Sequence, residues 1–257
     1  MYFSSRADAG QQLAQELEKY QDESCAVVAL SDGGAVVGAQ IAQSLHCVLM
    51  MLLTEPVDLP GEPEPIAVIN QDGGFTYNSV YSTGELEELD MDYHRYIEES
   101  KLDKLHQMHH LLGRKGLIDK DLLRGHTIIL TSDGLSSGFS LDAAVDYLKT
   151  VKIERIIVAV PLATVQAVDR MHILADEIHC LSVIENYIST NHYYEDNSTP
   201  GHSQIIEMIE NIVQIAEEEE KTAVPGKSPV RQAPPLKKQR AAKTVSEEGL
   251  LKVPHDD

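Results

Sequence analysis

The sequence predicts an α/β fold, a doubly wound parallel sheet with helices on both faces, because helical and strand patterns alternate along the chain. A run of small residues follows the strand predicted at residues 127–131 and marks a close turn from a strand into a helix. After residue 220 the alternation stops, and prolines interrupt a stretch rich in Lys and Arg. The sequence therefore predicts one α/β domain over residues 1–220 and a disordered basic tail over residues 221–257.

The elements of the domain follow from apolar periodicity. An amphipathic helix is expected at residues 5–20, since Leu13, Leu17 and Tyr20 recur at helical spacing. Short apolar runs are predicted to be strands, at residues 26–30, 47–53, 66–69, 127–131, 155–160 and 178–183. Further helices are expected at residues 35–44, 139–150, 163–174 and 205–216.

Residues 72–118 are predicted to form a largely helical insertion, which we call the hood. The segment is acidic at first and then rich in His and Leu. His106 and His110 are four residues apart, and Asp103 precedes His106 by about one helical turn, so a metal site is conceivable. Two ligands on an exposed polar helix are more often solvated side chains, and no protein-held metal is predicted.

Cysteine usage, and the absence of a secretion signal and of any apolar segment long enough to span a membrane, indicate a cytoplasmic protein. Cys25, Cys47 and Cys180 are odd in number and lie within or beside apolar runs, so buried thiols without disulfides are expected. This usage points to a reducing compartment. The first ten residues lack the apolar centre of a secretion signal, and no apolar run reaches the ~20 residues that span a bilayer. No membrane contact is expected.

The net charge of −20 is unevenly distributed, because residues 1–220 are strongly acidic while the tail is net basic. The acidic field argues against nucleic acid on the main domain, since phosphate neutralisation dominates such binding. Alternatively, the acidic excess only keeps the protein soluble. The basic residues of the tail either make a weak contact with nucleic acid or an acidic partner, or lie loosely along the acidic domain: Lys237, Lys238, Arg240 and Lys243.

The most specific pattern is the loop after the strand predicted at residues 127–131. Its glycines let the backbone approach a ligand, and its serines place hydroxyls beside the N–H groups that begin the next helix. Those N–H groups and the helix dipole favour a phosphate, and Asp133 can accept hydrogen bonds from sugar hydroxyls. An ordinary strand-to-helix turn with a Ser cap has the same pattern. The candidate site comprises Ser132, Asp133, Gly134, Leu135, Ser136, Ser137, Gly138, Phe139 and Ser140.

This loop resembles the ribose-phosphate motif of the type I phosphoribosyltransferase family, in which an apolar strand leads into two adjacent acids and a Thr-Gly-x-Thr phosphate loop. Here Ser132 replaces the first acid, Asp133 keeps the second, and residues 137–140 read Ser-Gly-Phe-Ser. Three further segments are similar to one bacterial branch of the family: FSSRADAGQQLA at its amino terminus, ALSDGGAVVG where it carries ALPRGGVPVG, and RIIVAVP. The resemblance covers roughly residues 1–215.

The resemblance implies a protein that binds phosphoribosyl pyrophosphate or a nucleotide and transfers the phosphoribosyl group to an acceptor that the sequence does not identify. It implies that Asp133 is the catalytic residue that steadies the ribose, and that Mg²⁺ arrives bound to the donor. It also implies a pyrophosphate loop formed by Ser31, Asp32, Gly33 and Gly34, and closure of the hood over the substrate.

Two residues depart from the family pattern. Asp32 stands where the family has Arg, and an acid repels a polyphosphate, whereas Ser132 removes one of two carboxylates that hold the ribose hydroxyls. Arg95, Arg114 and Arg124 could supply the missing positive charge. The alternative is a family member with impaired catalysis that acts as a nucleotide- or phosphate-binding regulatory protein. The sequence leaves open whether the chain forms a homo-oligomer.

Overall fold

The computed structural model describes residues 2–112 and 119–222, with the side chains of residues 112 and 217–222 left aside. Its strands are β1 Cys25–Ala29, β2 Val48–Met51, β3 Thr54–Val57, β4 Ala67–Asn70, β5 Phe75–Tyr77, β6 Thr127–Thr131, β7 Arg155–Thr164 and β8 Glu177–Ile184. Its α-helices are α1 Arg6–Leu17, α2 Asp32–Leu45, α3 Thr83–Leu112, α4 Lys120–Leu123, α5 Phe139–Leu148, α6 Val165–Leu174 and α7 His202–Thr222. Most of the predicted tail lies outside the described residues.

The central sheet has five parallel strands in the order β2-β1-β6-β7-β8. Val27 in β1 pairs with Leu49 on one side and with Ile129 on the other, so β1 lies inside the sheet. All five residues of β1 are buried, as expected for a parallel strand that is covered on both faces. From β1 the chain adds β2 on one side and β6, β7 and β8 on the other, so the strand order reverses between β1 and β6. Ligands of such sheets bind at the carboxyl ends of the strands beside this reversal.

Helices cover both faces of the sheet, which confirms the predicted doubly wound fold. Val27 and Ala29 of β1 pack into one core with residues of α1, α2 and α7. Ala26 and Val28, which alternate with them, pack into the opposite core with residues of α5 and α6. Each β1 side chain therefore joins one of two helical layers.

The strand predicted at residues 66–69 exists, but it belongs to a separate sheet. β4 lies between β3 and β5 in a three-stranded antiparallel sheet, with Pro56 opposite Val68. β3 and β5 were not predicted, because each is only three or four residues long and Pro56 is typical of an edge strand or a loop. The hood helix α3 packs on this sheet through the buried side chains of Ile97 and Met108.

The cysteine prediction is confirmed for two of the three residues. Cys25 and Cys47 are buried, Cys180 is half-buried, and none of them forms a disulfide. Burial raises the pKa of the Cys47 thiol to about 12. Among the described residues, no helix combines the length and apolarity needed to cross a membrane.

Candidate functional site

The loop at the carboxyl end of β6 is held by β7 and by the start of α6. Leu135 donates its N–H to the carbonyl oxygen of Leu162, and its own carbonyl oxygen accepts from the N–H of Thr164, each at 3.0 Å. The Thr164 hydroxyl donates to the carbonyl oxygen of Ser136 at 2.6 Å. The predicted phosphate loop is therefore attached to the neighbouring strand before α5 begins.

The amino end of α5 carries no side-chain cap from the residues that the structure describes. Gly138 precedes the helix with a φ of 74°, a left-handed conformation that favours glycine. The Ser137 hydroxyl oxygen is 3.4 Å from the backbone nitrogen of Phe139, which is long for a hydrogen bond. The N–H groups and the positive dipole end of α5 are thus suited to an anion.

Arg170 of α6 lies against this loop. A Cβ atom on Gly138 would be 3.0 Å from the Cβ of Arg170, so a larger residue would crowd the two elements. The Arg170 Nε donates to both carboxylate oxygens of Asp142 at 2.7 and 2.9 Å, and this hydrogen bonding raises the pKa of Arg170. Asp142 is in the first turn of α5, so the pair ties α6 to the start of α5.

Asp133 connects the two predicted loops. Its Oδ2 accepts from Nε of Arg6 at 2.8 Å, and its Oδ1 accepts from the Ser31 hydroxyl, also at 2.8 Å. The Tyr194 hydroxyl donates to the backbone carbonyl of Asp133 at 2.6 Å. Burial, with a smaller contribution from the nearby Asp133 carboxylate, raises the pKa of Tyr194 well above its usual value. Tyr194 therefore remains a neutral donor.

Gly33 makes this close approach possible. A Cβ atom at Gly33 would be 2.1 Å from Oδ2 of Asp133 and 2.7 Å from Nε of Arg6, distances that no real Cβ atom tolerates. The glycine in the predicted pyrophosphate loop therefore leaves space for a buried ion pair of the protein itself.

Arg6 is held by a segment near the carboxyl end of the domain. One guanidinium nitrogen donates to the side-chain oxygen of Asn191 at 2.5 Å, and the other is 3.4 Å from the carbonyl oxygen of Asn197. Its Cζ lies 4.7 Å from the centre of the Tyr194 ring. Sequence reasoning did not assign Arg6 to the site, although it is the Arg of the FSSRADAG segment.

The side chains of the predicted pyrophosphate loop bind other protein groups. Ser31 caps α2, since its hydroxyl oxygen accepts from the N–H of Gly34 at 2.9 Å while it donates to Asp133. Oδ1 of Asp32 is 3.0 Å from Nδ1 of His202, the first residue of α7. Nε2 of His202 is buried and makes no hydrogen bond within the described part of the chain. No sequence signal had linked His202 to Asp32.

Two of the three arginines expected to supply positive charge can be located. Arg95 donates to Glu99 at 2.8 Å on an exposed face of α3, and Arg124 forms an exposed ion pair with Asp121 at 3.4 Å. Arg114 lies outside the described residues. The structure places other arginines beside the loops, namely Arg6 and Arg170 described above.

The protein groups at the site do not by themselves form a magnesium cage. Both Asp133 oxygens already accept hydrogen bonds, and Ser132 offers a hydroxyl in place of a second carboxylate. In residues 2–112 and 119–222, no group of three or more His, Cys, Asp and Glu side chains could hold a metal ion, and this includes the surroundings of His106 and His110. The arrangement is compatible with Mg²⁺ held mainly by substrate phosphates and water, which is the usual preference of this ion.

Comparison with known proteins shows what the chain resembles. The sequence profile of a family described as "Phosphoribosyl transferase domain" matches residues 4–198. Curated proteins of two Mycobacterium tuberculosis strains, CDC 1551 and H37Rv, named "putative phosphoribosyl transferase", are 26% identical over 210 residues. The match covers 81% of this chain but 46% of those proteins, so the chain spans about half the length of these curated relatives.

A solved structure agrees with this family match. The crystal structure of TT1426 from Thermus thermophilus is similar over 81% of this chain and 98% of that protein, with 26% sequence identity and a TM-score of 0.67. The similarity thus extends over nearly all of the compared protein and supports the same arrangement of sheet and helices.

Proposed function

This chain belongs to the phosphoribosyl transferase domain family, and we propose that it binds a ribose 5-phosphate group on the loop of residues 132–140. In the proposed reaction, an acceptor forms a bond to C1 of phosphoribosyl pyrophosphate, and pyrophosphate leaves with its Mg²⁺. The protein would contribute mainly by positioning the two reactants and by stabilising charge.

The observation that carries the proposal is the uncapped amino end of α5 behind Gly138. A phosphate at the amino end of α5 would accept hydrogen bonds from backbone N–H groups, and the positive end of the helix dipole would stabilise its negative charge. Each hydrogen bond to a charged group contributes about 1.5–3 kcal/mol, and the dipole adds about 0.3–1 kcal/mol. Arg170 stabilises this end of the helix from the side by its bond to Asp142.

Asp133 has two roles in the proposal. It holds the loops of residues 31–34 and 132–140 together through Arg6 and Ser31. Each carboxylate oxygen has two lone pairs, so one hydrogen bond to each oxygen leaves acceptor capacity for the ribose hydroxyls. A single carboxylate then holds the sugar, because Ser132 provides only a hydroxyl.

Isothermal titration calorimetry with ribose 5-phosphate, and with phosphoribosyl pyrophosphate plus Mg²⁺, tests the binding step. Ser137→Asp places a negative charge at the proposed phosphate position, and Ser137→Asn is its neutral, nearly isosteric control. We expect the Asp variant to bind at least about tenfold more weakly, which corresponds to about 1.4 kcal/mol, while the Asn variant stays near the wild type. Equal affinities for all three proteins would contradict the proposal that the phosphate binds to this loop.

A second function is favoured by the Asp32–His202 contact, in which an acid occupies the predicted pyrophosphate loop. A regulatory protein that binds a nucleotide or a phosphate, and no longer transfers the phosphoribosyl group, would have this arrangement. Pyrophosphate release with a panel of bases and amines distinguishes the two functions. Release by the wild type supports the transferase; release only after Ser132→Asp and Asp32→Arg are combined supports the regulatory protein.

A further inference from the structure

A groove of about 320 Å³ lies between α5, α6 and the residues that precede α3. We call it the α5–α6 groove, and its walls include Glu64, Val80, Ser137, Phe139, Asp169 and Ile173. Its volume is at the lower end of the range for small-molecule pockets. Ser137 belongs both to this groove and to the proposed phosphate loop, so the two sites are contiguous.

Apolar side chains form part of the α5–α6 groove. Phe139 is only 9% exposed, and its ring is fixed by packing against Val68 and Ala143. Val80 and Ile173 are 61% and 71% exposed, so they present apolar surface to water. Covering such surface is favourable, and a ligand with an apolar body would do so.

The groove also carries negative charge that the protein does not neutralise. Glu64 and Asp169 are exposed, and neither forms an ion pair with a residue in the described ranges. Asp142 is a third acid of the wall, and Arg170 is the one basic residue that the described part of the chain contributes to it. Arg170 donates to both oxygens of Asp142, so these two charges neutralise each other. A groove with two uncompensated carboxylates attracts a cation.

We propose that the α5–α6 groove binds a small organic cation with an apolar body, an arylalkylamine. Its ring would lie near Phe139 and Ile173, and its ammonium group would lie near the carboxylates of Glu64 and Asp169. A cation in this groove is next to the proposed phosphate loop. Its binding and that of ribose 5-phosphate therefore favour each other by the same factor.

Three probes of nearly the same shape test the charge requirement: phenethylamine, 2-phenylethanol and phenylacetate. Titrations of the full chain followed by NMR are expected to show binding of phenethylamine in the millimolar range. Binding of 2-phenylethanol should be about tenfold weaker, since its neutral hydroxyl lacks the charge-assisted contact of the ammonium group with the two carboxylates. Phenylacetate should not bind measurably. Phenylacetate binding as tight as that of phenethylamine overturns the proposal.

Variants test the location. Glu64→Gln combined with Asp169→Asn should weaken phenethylamine binding about tenfold while leaving 2-phenylethanol binding unchanged. Glu62→Gln, two residues from Glu64 but not part of the groove wall, is the matched control and should bind like the wild type. All three positions are at least partly exposed, and thermal unfolding verifies that the variants fold. Equal losses in the double variant and in the control overturn the assigned location.

Coupling to the phosphate loop is a separate measurement. Saturating phenethylamine should raise the affinity for ribose 5-phosphate at least threefold, because a cation lies beside the phosphate. An unchanged ribose 5-phosphate affinity contradicts the proposed coupling between the two sites. Failure of ribose 5-phosphate to bind at all overturns the proposed function, whereas the groove is judged by the three probes alone.

Discussion

Arg6, in the first turn of α1, donates from Nε to the carboxylate of Asp133 at 2.8 Å across 127 residues of sequence. Their side chains are 4% and 12% exposed. Removing one partner of a buried pair leaves an uncompensated charge, which is more costly than removing an exposed pair. The pair therefore stabilises the site and the whole domain together.

Asp133→Asn should lower the free energy of unfolding by about 3 kcal/mol, because Arg6 then remains buried without a carboxylate. Urea unfolding measures the change. Glu99→Gln, which removes the partner of the exposed Arg95, is the matched control and should leave the unfolding curve where it is. A similar small shift for both variants would contradict a structural role for the Arg6–Asp133 pair. Because Asp133→Asn is expected to destabilise the fold, a loss of ligand binding in this variant is interpreted only together with its free energy of unfolding.

Gly33→Ala should destabilise the protein by more than about 2 kcal/mol, because its Cβ atom would overlap with Asp133 and Arg6. Gly84→Ala is the control, since nothing lies within 4 Å of the added Cβ atom and the residue is in α3. Gly84 is the second residue of α3, where the helix preference of Ala over Gly is weaker than in a helix interior, so we expect the control to be unchanged or stabilised by less than about 0.5 kcal/mol. Thermal unfolding of both variants is the measurement, and equal effects would refute the close packing at Gly33.

Acid should remove a stabilising contribution from Glu177. The hydrogen bond from Lys19, followed by a contribution from the nearby Tyr20 hydroxyl, lowers the pKa of Glu177 from 4.5 to about 2. A carboxyl whose pKa is lower in the folded state stabilises the fold above its unfolded pKa, and this is lost as the pH falls from about 4.5 towards 2. The group is partly exposed, so the contribution is about 0.5–1 kcal/mol. Glu177→Gln should therefore be less stable than the wild type at pH 7 and equally stable near pH 2, as measured by urea unfolding. A difference in the free energy of unfolding that stays the same at both pH values would contradict this role of the Glu177 carboxylate.

Thiol reactivity should separate the cysteines. The pKa of Cys47 is raised to about 12 by burial, so almost no thiolate is present at pH 8. Cys180 is only half-buried, and we expect iodoacetamide to modify it at least about tenfold faster than Cys47 in the native protein. Peptide mass spectrometry after timed alkylation gives both rates. Their ratio should approach one in 8 M urea, and a ratio near one in native buffer would contradict the burial of Cys47.

The parallel sheet was predictable because its strands are short apolar runs. The strand predicted at residues 127–131 matches β6, and those predicted at residues 26–30 and 178–183 match β1 and β8 to within one residue at each end. β3 and β5 were missed because segments of three or four residues are too short to show the alternation of apolar and polar side chains that marks a strand, and β3 also contains a proline. Their pairing depends on contacts between strands, which local sequence does not contain.

The site was predictable where it depends on loops and unpredictable where it depends on distant side chains. The small-residue loop before α5 could be located from its glycines, and the structure places Gly138 in a left-handed conformation. The His202–Asp32 contact spans 170 residues and involves no repeating spacing, so no local pattern could indicate it. The hydrogen bond from Arg170 to Asp142 joins two different helices, so no local sequence pattern could indicate it either.

The contacts of Arg6 with the distal segment also have a consequence for synthesis of the chain. Arg6 leaves the ribosome 185 residues before its partner Asn191. At about 5–20 residues per second, the interval is on the order of ten seconds or longer. During that time the guanidinium group lacks its contacts with Asn191 and Asn197. The candidate site is therefore among the last parts of this domain to mature, and a chain that stops before Asn191 never completes it.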